Sequence, residues 1–359
     1  MINTNKLSDS DFIKEFLLFL IITTITLMGL IATPVSAAEQ KPTSLSAVVP
    51  NPATDLWREV RQRGGPVVGK TQVGGTDAGV LINTQGQAWR ELRTVKIIPY
   101  SVYLLAVVLI VLIAFRLIRG QIKINAGRSA KRILRFTLSQ RVVHWFAGIT
   151  FLILGITGVI LLLGRTLLIP IMGNSAFGNI AAFSKLVHNY IGPVFAVSLV
   201  LLFIYYVKDN FFKGRDMMWF LKGGGFFGGH AHAGRYNAGE KTWFWLSILV
   251  GLVVVVTGLI LNFPIFGLDR AAMELSLVVH GISSVILFAI SLGHIYIATI
   301  GMEGALETMT TGYCDANWAK EHHDIWYEEV KDTEEDVPPP DAGDDKAHAV
   351  NTTASPNPT

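Results

Sequence analysis

The run VVHGISSVILFAISLGHIYIATI, residues 278–300, is long enough to cross a lipid bilayer as one helix and carries two histidines. His280 and His294 are 14 residues apart. At 100° per residue this separation falls about 40° short of four helical turns, so both side chains project from one face. The rise between them is about 21 Å, most of a hydrocarbon core about 30 Å thick. One helix therefore presents an imidazole near each membrane surface.

The composition is typical of a protein that crosses the membrane several times, because 51% of the 359 residues are hydrophobic and only 16% are charged. The pattern predicts an all-α, polytopic membrane helix bundle. Apolar runs of spanning length occur at residues 97–115, 143–163, 185–206, 243–262 and 276–300.

An earlier apolar segment covers residues 16–32 and is followed by Pro34-Val-Ser-Ala-Ala38. Val35 and Ala37 are small residues in the places that a signal-peptidase site after Ala37 requires. Acidic residues outnumber the lysines before this segment, and its apolar core is long, so an uncleaved anchor is the alternative. Either arrangement exports residues 39–95, which we expect to pack on a partner because they are too few for a large core.

Lysine and arginine in the connections indicate the orientation. Residues 116–141 contain eight Lys or Arg and no acid, and residues 208–241 contain six. The connections 164–179 and 263–274 contain one Arg each. We therefore expect the two basic connections and the C-terminus in the cytoplasm, and the other two connections in the periplasm.

This orientation sorts four intramembrane histidines by depth. His144 and His294 lie near the cytoplasmic surface, and His188 and His280 lie near the periplasmic surface. Ionisable groups in hydrocarbon usually have a function, and two imidazoles from facing helices are a normal way to hold b-type haem. The depths predict two bis-histidine haems, one held by His188 and His280 and one by His144 and His294.

Two other interpretations of the histidines remain open. Each could be a packed polar residue that bonds across helices, or a pair could bind zinc, although neither pair has an evident acidic or cysteine residue to complete a shell. Glycines near the four histidines would admit a flat macrocycle, but close helix packing favours glycine equally. These glycines are Gly148, Gly192, Gly281 and Gly293.

The chain has a single cysteine, Cys314. This excludes an intrachain disulfide, a covalent Cys-x-x-Cys-His haem and a self-contained iron–sulfur cluster. Non-covalent haem is the electron carrier that the sequence allows.

Short motifs follow one another between about Arg132 and Tyr327. They are Arg141-x-x-His144-Trp145, His188 four residues before Gly192, Gly234-Arg-Tyr-Asn-Ala-Gly-Glu-Lys241, the His280–His294 step and Trp318-Ala-Lys-Glu-His-His323. With these motifs the chain resembles the cytochrome b (gamma) subunit of respiratory formate dehydrogenase. Residues 39–95 and the first mature span resemble the N-terminal extension of longer proteobacterial forms.

The resemblance implies two b haems held by the same four histidines. It also implies a site for quinone, either menaquinone or ubiquinone, beside the cytoplasmic haem. That site would involve His294, Asn237, Gly239 and Glu240. Glu240 stands where some relatives have Gln, so the polar contacts there could differ, and a helix-capping turn is an alternative role for Asn237.

The implied reaction is electron transfer in the bacterial inner membrane during anaerobic respiration. A periplasmic molybdenum or tungsten alpha subunit oxidises formate, and an iron–sulfur beta subunit passes electrons to the His188/His280 haem. They continue to the His144/His294 haem and reduce quinone near the cytoplasm. No residue of this chain takes part in formate chemistry, and no nucleic-acid partner is expected.

The domain organisation follows from these inferences. Residues 1–37 are a signal peptide or anchor, 38–95 a periplasmic segment, 96–118 an extra transmembrane helix, 119–310 a four-span di-haem cytochrome b domain, and 311–359 an acidic, partly disordered cytoplasmic tail. In the tail, Trp318–His323 is expected to be an interfacial amphipathic segment, which includes the two histidines His322 and His323.

Two other functions remain as alternatives. The related cytochrome b of a periplasmic [NiFe] hydrogenase or of a thiosulfate-type reductase would use the same histidines with another partner. A haem-free membrane anchor or transporter is disfavoured by the depth-matched histidines.

Overall fold

The computed structural model describes residues 67–68, 80–82, 86–225, 231–263 and 267–336, with side chains from residue 86 onward. The predicted signal peptide or anchor, most of the segment predicted to be exported and the predicted disorder near the C-terminus lie outside these residues. A short antiparallel pair, β1 (Val67–Val68) and β2 (Val80–Ile82), lies in the segment that is predicted to be exported.

The rest of the described chain is mainly helical, which confirms the predicted all-α membrane bundle. Five helical stretches are long and apolar enough to cross a membrane: Gly86–Arg119, Leu138–Leu167, Ile169–Asp209, Ala238–Asn262 and Arg270–Gly301. The helices within and after them are α1 (Gly86–Glu91), α2 (Ile98–Arg119), α3 (Leu138–Leu167), α4 (Ile169–Tyr206), α5 (Gly214–Leu221), α6 (Ala238–Asn262), α7 (Arg270–Tyr296), α8 (Ala305–Thr310), α9 (Ala316–His322) and α10 (Asp324–Val330).

Local sequence fixes where several helices begin. Before α3, the Gln140 amide donates to Thr137 Oγ1 at 3.4 Å and the Thr137 amide donates to Gln140 Oε1 at 3.1 Å. This reciprocal pair is a capping box, which satisfies backbone donors that the first helical turn leaves unpaired. Asp269 caps α7 in a simpler way, because its Oδ1 accepts from the Ala272 amide at 2.8 Å.

The expected connection at residues 164–179 is almost entirely helical, since α4 begins two residues after α3 ends. Gly173 has a φ of 79°, which a residue without Cβ adopts readily, and it kinks α4. Pro193 lacks an amide hydrogen, so it cannot donate to the Asn189 carbonyl one turn earlier. Asn262 Nδ2 donates to that carbonyl at 2.8 Å instead.

The described residues divide into two compact units. The first contains the described residues up to 107 with 148–199 and 250–289, and the second contains 108–147, 200–249 and the described residues from 290. His188 and His280 belong to the first unit, and His144 and His294 belong to the second. Each pair therefore lies within a single unit.

The second unit contains a small sheet in which β3 (Lys131–Leu134) pairs antiparallel with both β4 (Tyr313–Asp315) and β5 (Glu335–Asp336). Its core includes Ile133, Cys314, Trp318 and Trp326. A predicted domain boundary at residue 311 cuts through this sheet, because β3 precedes the boundary and its partners follow it. Residues 313–336 are a folded part of the second unit rather than a tail.

Candidate functional site

His188 of α4 and His280 of α7 face each other in the first unit. Their ring centroids are 6.2 Å apart, and the ring planes are inclined by 83°. Both side chains are half-buried. The structure thus brings together the two histidines that the depth argument pairs.

Threonines of the neighbouring helices hold one nitrogen of each ring. His188 Nδ1 lies 2.9 Å from Thr157 Oγ1, and His280 Nδ1 lies 3.2 Å from Thr257 Oγ1. The Thr157 hydroxyl donates to the Ile153 carbonyl at 2.8 Å, so its oxygen accepts from the imidazole.

His280 Nδ1 also lies 3.0 Å from the Val254 carbonyl, which only accepts hydrogen bonds. In both rings the hydrogen is therefore on Nδ1, and Nε2 keeps a lone pair that can bind a metal.

A glycine follows each threonine and leaves room for the ring. A Cβ placed on Gly258 would lie 3.0 Å from His280 Cε1, and one on Gly158 would lie 3.4 Å from His188 Cε1. The same arrangement, a Thr-Gly step on one helix and a histidine on the next, thus occurs in α3–α4 and in α6–α7.

Sequence analysis missed these threonines. A signal was present in the recurrence of Thr157-Gly-Val-Ile-Leu161 as Thr257-Gly-Leu-Ile-Leu261.

His144 of α3 and His294 of α7 form the second pair, in the second unit. Their ring centroids are 6.3 Å apart, and the planes are inclined by 58°. His294 stacks on Trp243 with centroids 4.7 Å apart and planes within 13° of parallel. His144 Nδ1 is buried and has no hydrogen-bond partner among the described residues.

The spacing of both pairs fits two axial ligands of one haem iron. Two imidazoles from facing helices, with ring centroids 6.2 Å and 6.3 Å apart, leave room for one iron atom between them.

The surroundings also fit a flat macrocycle. A Cβ placed on any of the glycines singled out from the sequence would meet no atom within 4 Å, so the space beside them is open; they are Gly148, Gly192, Gly281 and Gly293. Within the described part of the chain, no three His, Cys, Asp or Glu residues come together as a metal-binding group. Each histidine pair could supply two nitrogen ligands to one metal ion.

Asn237, Gly239 and Glu240 lie in the second unit, where α6 begins. The Asn237 amide donates to Glu240 Oε2 and the Glu240 amide donates to Asn237 Oδ1, each at 2.9 Å. The predicted quinone loop is therefore also a capping box, and the Asn237 side chain keeps Nδ2 as its donor group. Gly239 packs closely on Trp219, since a Cβ on Gly239 would lie 3.0 Å from Trp219 Cη2.

Arg135, which the sequence analysis did not single out, connects this loop to the small sheet. Its Nη2 donates to Glu240 Oε1 at 3.0 Å and to the Arg235 carbonyl at 2.8 Å. Its guanidinium lies 4.9 Å from the centroid of the Trp318 ring and 5.1 Å from that of Phe136. These contacts compensate for the burial of the charge.

His323 completes this network and corrects the expectation of an interfacial position for it. It is fully buried, its Nδ1 donates to the Gly234 carbonyl at 2.8 Å, and its Nε2 accepts from Arg135 Nη2 at 3.2 Å. Burial, followed by the charge of Arg135, lowers the pKa of His323 to about 3. The sequence did not reveal this role, because its partners are distant along the chain.

Comparisons with known proteins find similarity to cytochromes b. A family model described as prokaryotic cytochrome b561 matches residues 135–312. The formate dehydrogenase cytochrome b556(fdo) subunit of Escherichia coli K12 is 28% identical over 208 residues, which cover 56% of this chain and 95% of that protein.

Two further relatives have similar names and coverage. The cytochrome b556(Fdn) subunit of the nitrate-inducible formate dehydrogenase of the same strain is 29% identical over 213 residues, which cover 57% of this chain and 94% of that protein. The formate dehydrogenase cytochrome b556 subunit of Haemophilus influenzae is 27% identical over 215 residues, covering 57% and 87%.

The five apolar helices indicate a multi-pass membrane protein, and over residues 135–312 the chain is similar to the prokaryotic cytochrome b561 family, a similarity that implies haem b. The relatives named above make the chain similar to the cytochrome b subunits of formate dehydrogenases, which supports the resemblance drawn from the sequence motifs. Such subunits belong to enzyme complexes, which implies partner catalytic subunits.

Proposed function

We propose that this chain binds two b haems and is the electron-transferring, quinone-reducing subunit of a formate dehydrogenase complex. The observation that carries the proposal is the presence of two imidazole pairs with centroid spacings of 6.2 Å and 6.3 Å. His188 and His280 would hold one haem, and His144 and His294 the other. When bound, haem b supplies a one-electron carrier at each pair.

The chain's own residues prepare the first pair for this role. Thr157 and Thr257 keep the hydrogen on Nδ1 of His188 and His280 and restrict rotation of the rings. A fixed tautomer presents the Nε2 lone pair without reorganisation, and a hydrogen bond at Nδ1 makes the ligand more basic. Gly158 and Gly258 allow this close approach of the rings to the neighbouring helices.

Quinone would bind where α6 begins, against the loop that contains Asn237, Gly239 and Glu240. Asn237 Nδ2 can donate to a quinone carbonyl, and Trp243, which already stacks on His294, offers a flat apolar wall. Glu240 is held by Arg135 and by the Asn237 amide, so its carboxylate keeps the loop in one conformation.

The orientation of the complex follows from the charge of the connections. The excess of Lys and Arg in residues 116–141 and 208–241 supports a cytoplasmic position for the quinone loop and the C-terminus. The partners would then be an iron–sulfur subunit and a molybdenum or tungsten subunit that oxidises formate on the periplasmic side of the inner membrane. Names of the relatives support the formate-oxidising partner.

The first test is the haem content of the purified chain. We expect two haems per chain in a pyridine haemochrome assay, and complete extraction by acid acetone, because no Cys-x-x-Cys-His motif is present to bond a vinyl group. The exposed histidine variant His232→Ala should retain both haems. One haem per chain, or haem that resists extraction, would contradict the proposal.

The quinone site needs a variant that separates capping from quinone binding. Asn237→Ser keeps a side-chain oxygen that can cap α6 but removes the amide donor. We expect the assembled Asn237→Ser complex to be reduced by formate at the normal extent while its quinone turnover falls at least tenfold. Asn237→Leu, which loses the cap as well, should also reduce assembly. Normal quinone turnover in Asn237→Ser would remove Asn237 from the site.

A further inference from the structure

Residues 211–222 of the second unit carry an exposed apolar surface that the proposed function does not use. Large apolar side chains are exposed throughout this segment: Phe211, Phe212, Met217, Met218, Phe220 and Leu221. Leu221 is 74% exposed and Met217 is 66% exposed. Isolated exposed apolar residues are ordinary, but six within one short segment indicate a surface that contacts something other than water.

The opposite face of α5 is fixed to the protein. Asp216 is buried, and its Oδ2 accepts from Lys241 Nζ at 2.7 Å and from the Lys213 amide at 2.6 Å. Trp219 packs on Gly224 and Gly239, since a Cβ at either glycine would lie within 3.0 Å of the indole. Because Asp216 and Trp219 lie on one side of the helix, Met217, Met218 and Leu221 must point away from it.

The outward charge of this segment is positive. Its one carboxylate is used internally, since Asp216 pairs with Lys241, and Asp209, which precedes the segment, pairs with Arg235. Lys213 and Lys222, at the two ends of α5, are exposed. An apolar face bordered by lysines is typical of helices that lie in the plane of a membrane surface and attract anionic lipid.

Continuity with the bilayer supports the same occupant. The segment joins the ends of two membrane-spanning helices, α4 and α6, and the last residues of α4 before it include the exposed apolar side chains of Phe203, Ile204 and Tyr205. We propose that α5, with Phe211 and Phe212, lies in the boundary between headgroups and acyl chains of a leaflet that contains anionic phospholipid.

This position would have a consequence for quinone. Trp219 contacts Gly239 and Asp216 pairs with Lys241, so α5 is attached to the first turn of α6 on two sides. A helix seated in the lipid boundary would hold that turn at the depth of a quinone headgroup. This consequence rests on the proposed quinone site, whereas the lipid contact itself does not.

The test uses single nitroxide labels on the full-length chain in nanodiscs of phosphatidylethanolamine and anionic phosphatidylglycerol. The one native cysteine, Cys314, is fully buried and its thiol pKa is raised by burial to about 11, so the unsubstituted chain gives the labelling background. Labels at Met217→Cys and Leu221→Cys should collide more with oxygen than with a water-soluble nickel chelate. A label at the exposed Lys320→Cys on α9 should show the reverse.

Replacing phosphatidylglycerol by phosphatidylcholine should reduce the oxygen preference at Met217 and Leu221, and so should Lys213→Glu with Lys222→Glu. Greater access of nickel than of oxygen at both α5 positions would overturn the proposal. So would protection that occurs only after partner subunits are added, or only when chains associate with one another, because a protein would then cover this face.

The haem spectrum of each labelled chain is recorded in parallel. If the haem spectrum is normal but the labels on α5 are accessible to nickel, only the lipid contact is refuted. If the labels on α5 are exposed to lipid but the chain contains no haem, only the proposed function is refuted.

Discussion

The His188–His280 pair and the His144–His294 pair have nearly equal centroid spacings, 6.2 Å and 6.3 Å, but their imidazoles are held differently. Both Nδ1 atoms of the first pair have threonine partners. In the second pair, His144 Nδ1 has no partner among the described residues, and His294 is stacked on Trp243. In the proposed function both pairs hold haem iron at similar spacing, and the different contacts behind the rings adjust the chemistry of each site.

This difference predicts unequal redox properties. A hydrogen bond at Nδ1 increases the donor strength of the imidazole and so favours oxidised iron. We therefore expect the His188–His280 site to have the lower midpoint potential and the His144–His294 site the higher one. Electron flow from the first to the second would then be energetically favourable, in the direction that the proposed function requires.

The largest effect should come from removing a ligand. His188→Ala and His280→Ala should each abolish the low-potential component and leave about one haem per chain, because a single axial imidazole holds b-type haem poorly. His144→Ala and His294→Ala should abolish the high-potential component instead. Redox titration followed by optical spectra distinguishes the two outcomes. Loss of the same component in His188→Ala and His294→Ala would show that the pairing is wrong.

The next effect concerns the threonines. Thr157→Val and Thr257→Val keep the side-chain shape but remove the threonine acceptor for Nδ1, and loss of such a partner typically weakens metal binding about 10–100-fold. Thr257→Val should have the smaller effect, because the Val254 carbonyl still accepts from His280 Nδ1. We expect the midpoint potential of the His188–His280 site to rise, with a changed electron paramagnetic resonance signal, while the other site is unaffected. Thr157→Ser and Thr257→Ser should restore the original values. An unchanged potential in both valine variants would show that the hydrogen bonds do not tune this site.

The glycines should sharpen the comparison within the first pair. Gly258→Ala places a methyl group 3.0 Å from His280 Cε1, whereas Gly158→Ala has 3.4 Å to His188 Cε1. The closer contact forces the ring to move, so Gly258→Ala should lower haem content by a fraction of one site, and Gly158→Ala should lower it less. Gly178→Ala on α4 is the control, because Gly178 is exposed, lies outside the proposed haem sites, and an added Cβ there meets nothing within 4 Å. Equal haem loss in all three variants would indicate a general packing effect.

The smallest effect concerns acid stability of the network in the second unit. His323 has a pKa of about 3 in the folded protein, compared with about 6.5 in an unfolded chain. Between these pH values the unfolded chain binds more protons than the folded chain does. The contribution of His323 to the free energy of unfolding is therefore fully present above about pH 6.5 and declines as the pH falls toward 3.

The melting temperature of the wild type should fall between pH 6.5 and pH 4.5. His323→Asn, whose side-chain amide can still donate to the Gly234 carbonyl, should lose a few degrees less over the same range. Thermal denaturation of both proteins in detergent measures this difference. Parallel pH profiles of the wild type and of His323→Asn would mean that His323 does not contribute to acid sensitivity.

The features that could be predicted from the sequence depend only on residues close together along the chain. The length of the apolar runs predicted five membrane helices, and the period of the α-helix placed His280 and His294 on one face of α7. Both inferences need only the dimensions of a helix and a bilayer, so distant residues do not alter them. The short motifs sufficed in the same way for the resemblance to cytochrome b subunits of formate dehydrogenase, which the comparisons support.

The groups that contact the histidine rings, and the fold of the chain after the last membrane span, could be seen only in the tertiary structure. Threonine, glycine and arginine occur in many local settings, and nothing in their neighbours along the chain specifies that Thr157 meets His188 or that Arg135 meets His323. The pairing of β3 with β4 joins residues such as Arg132 and Asp315, so an acidic segment interpreted as a tail belongs to a folded unit. Such long-range contacts form because packing and hydrogen bonding select one arrangement among many that the local sequence permits.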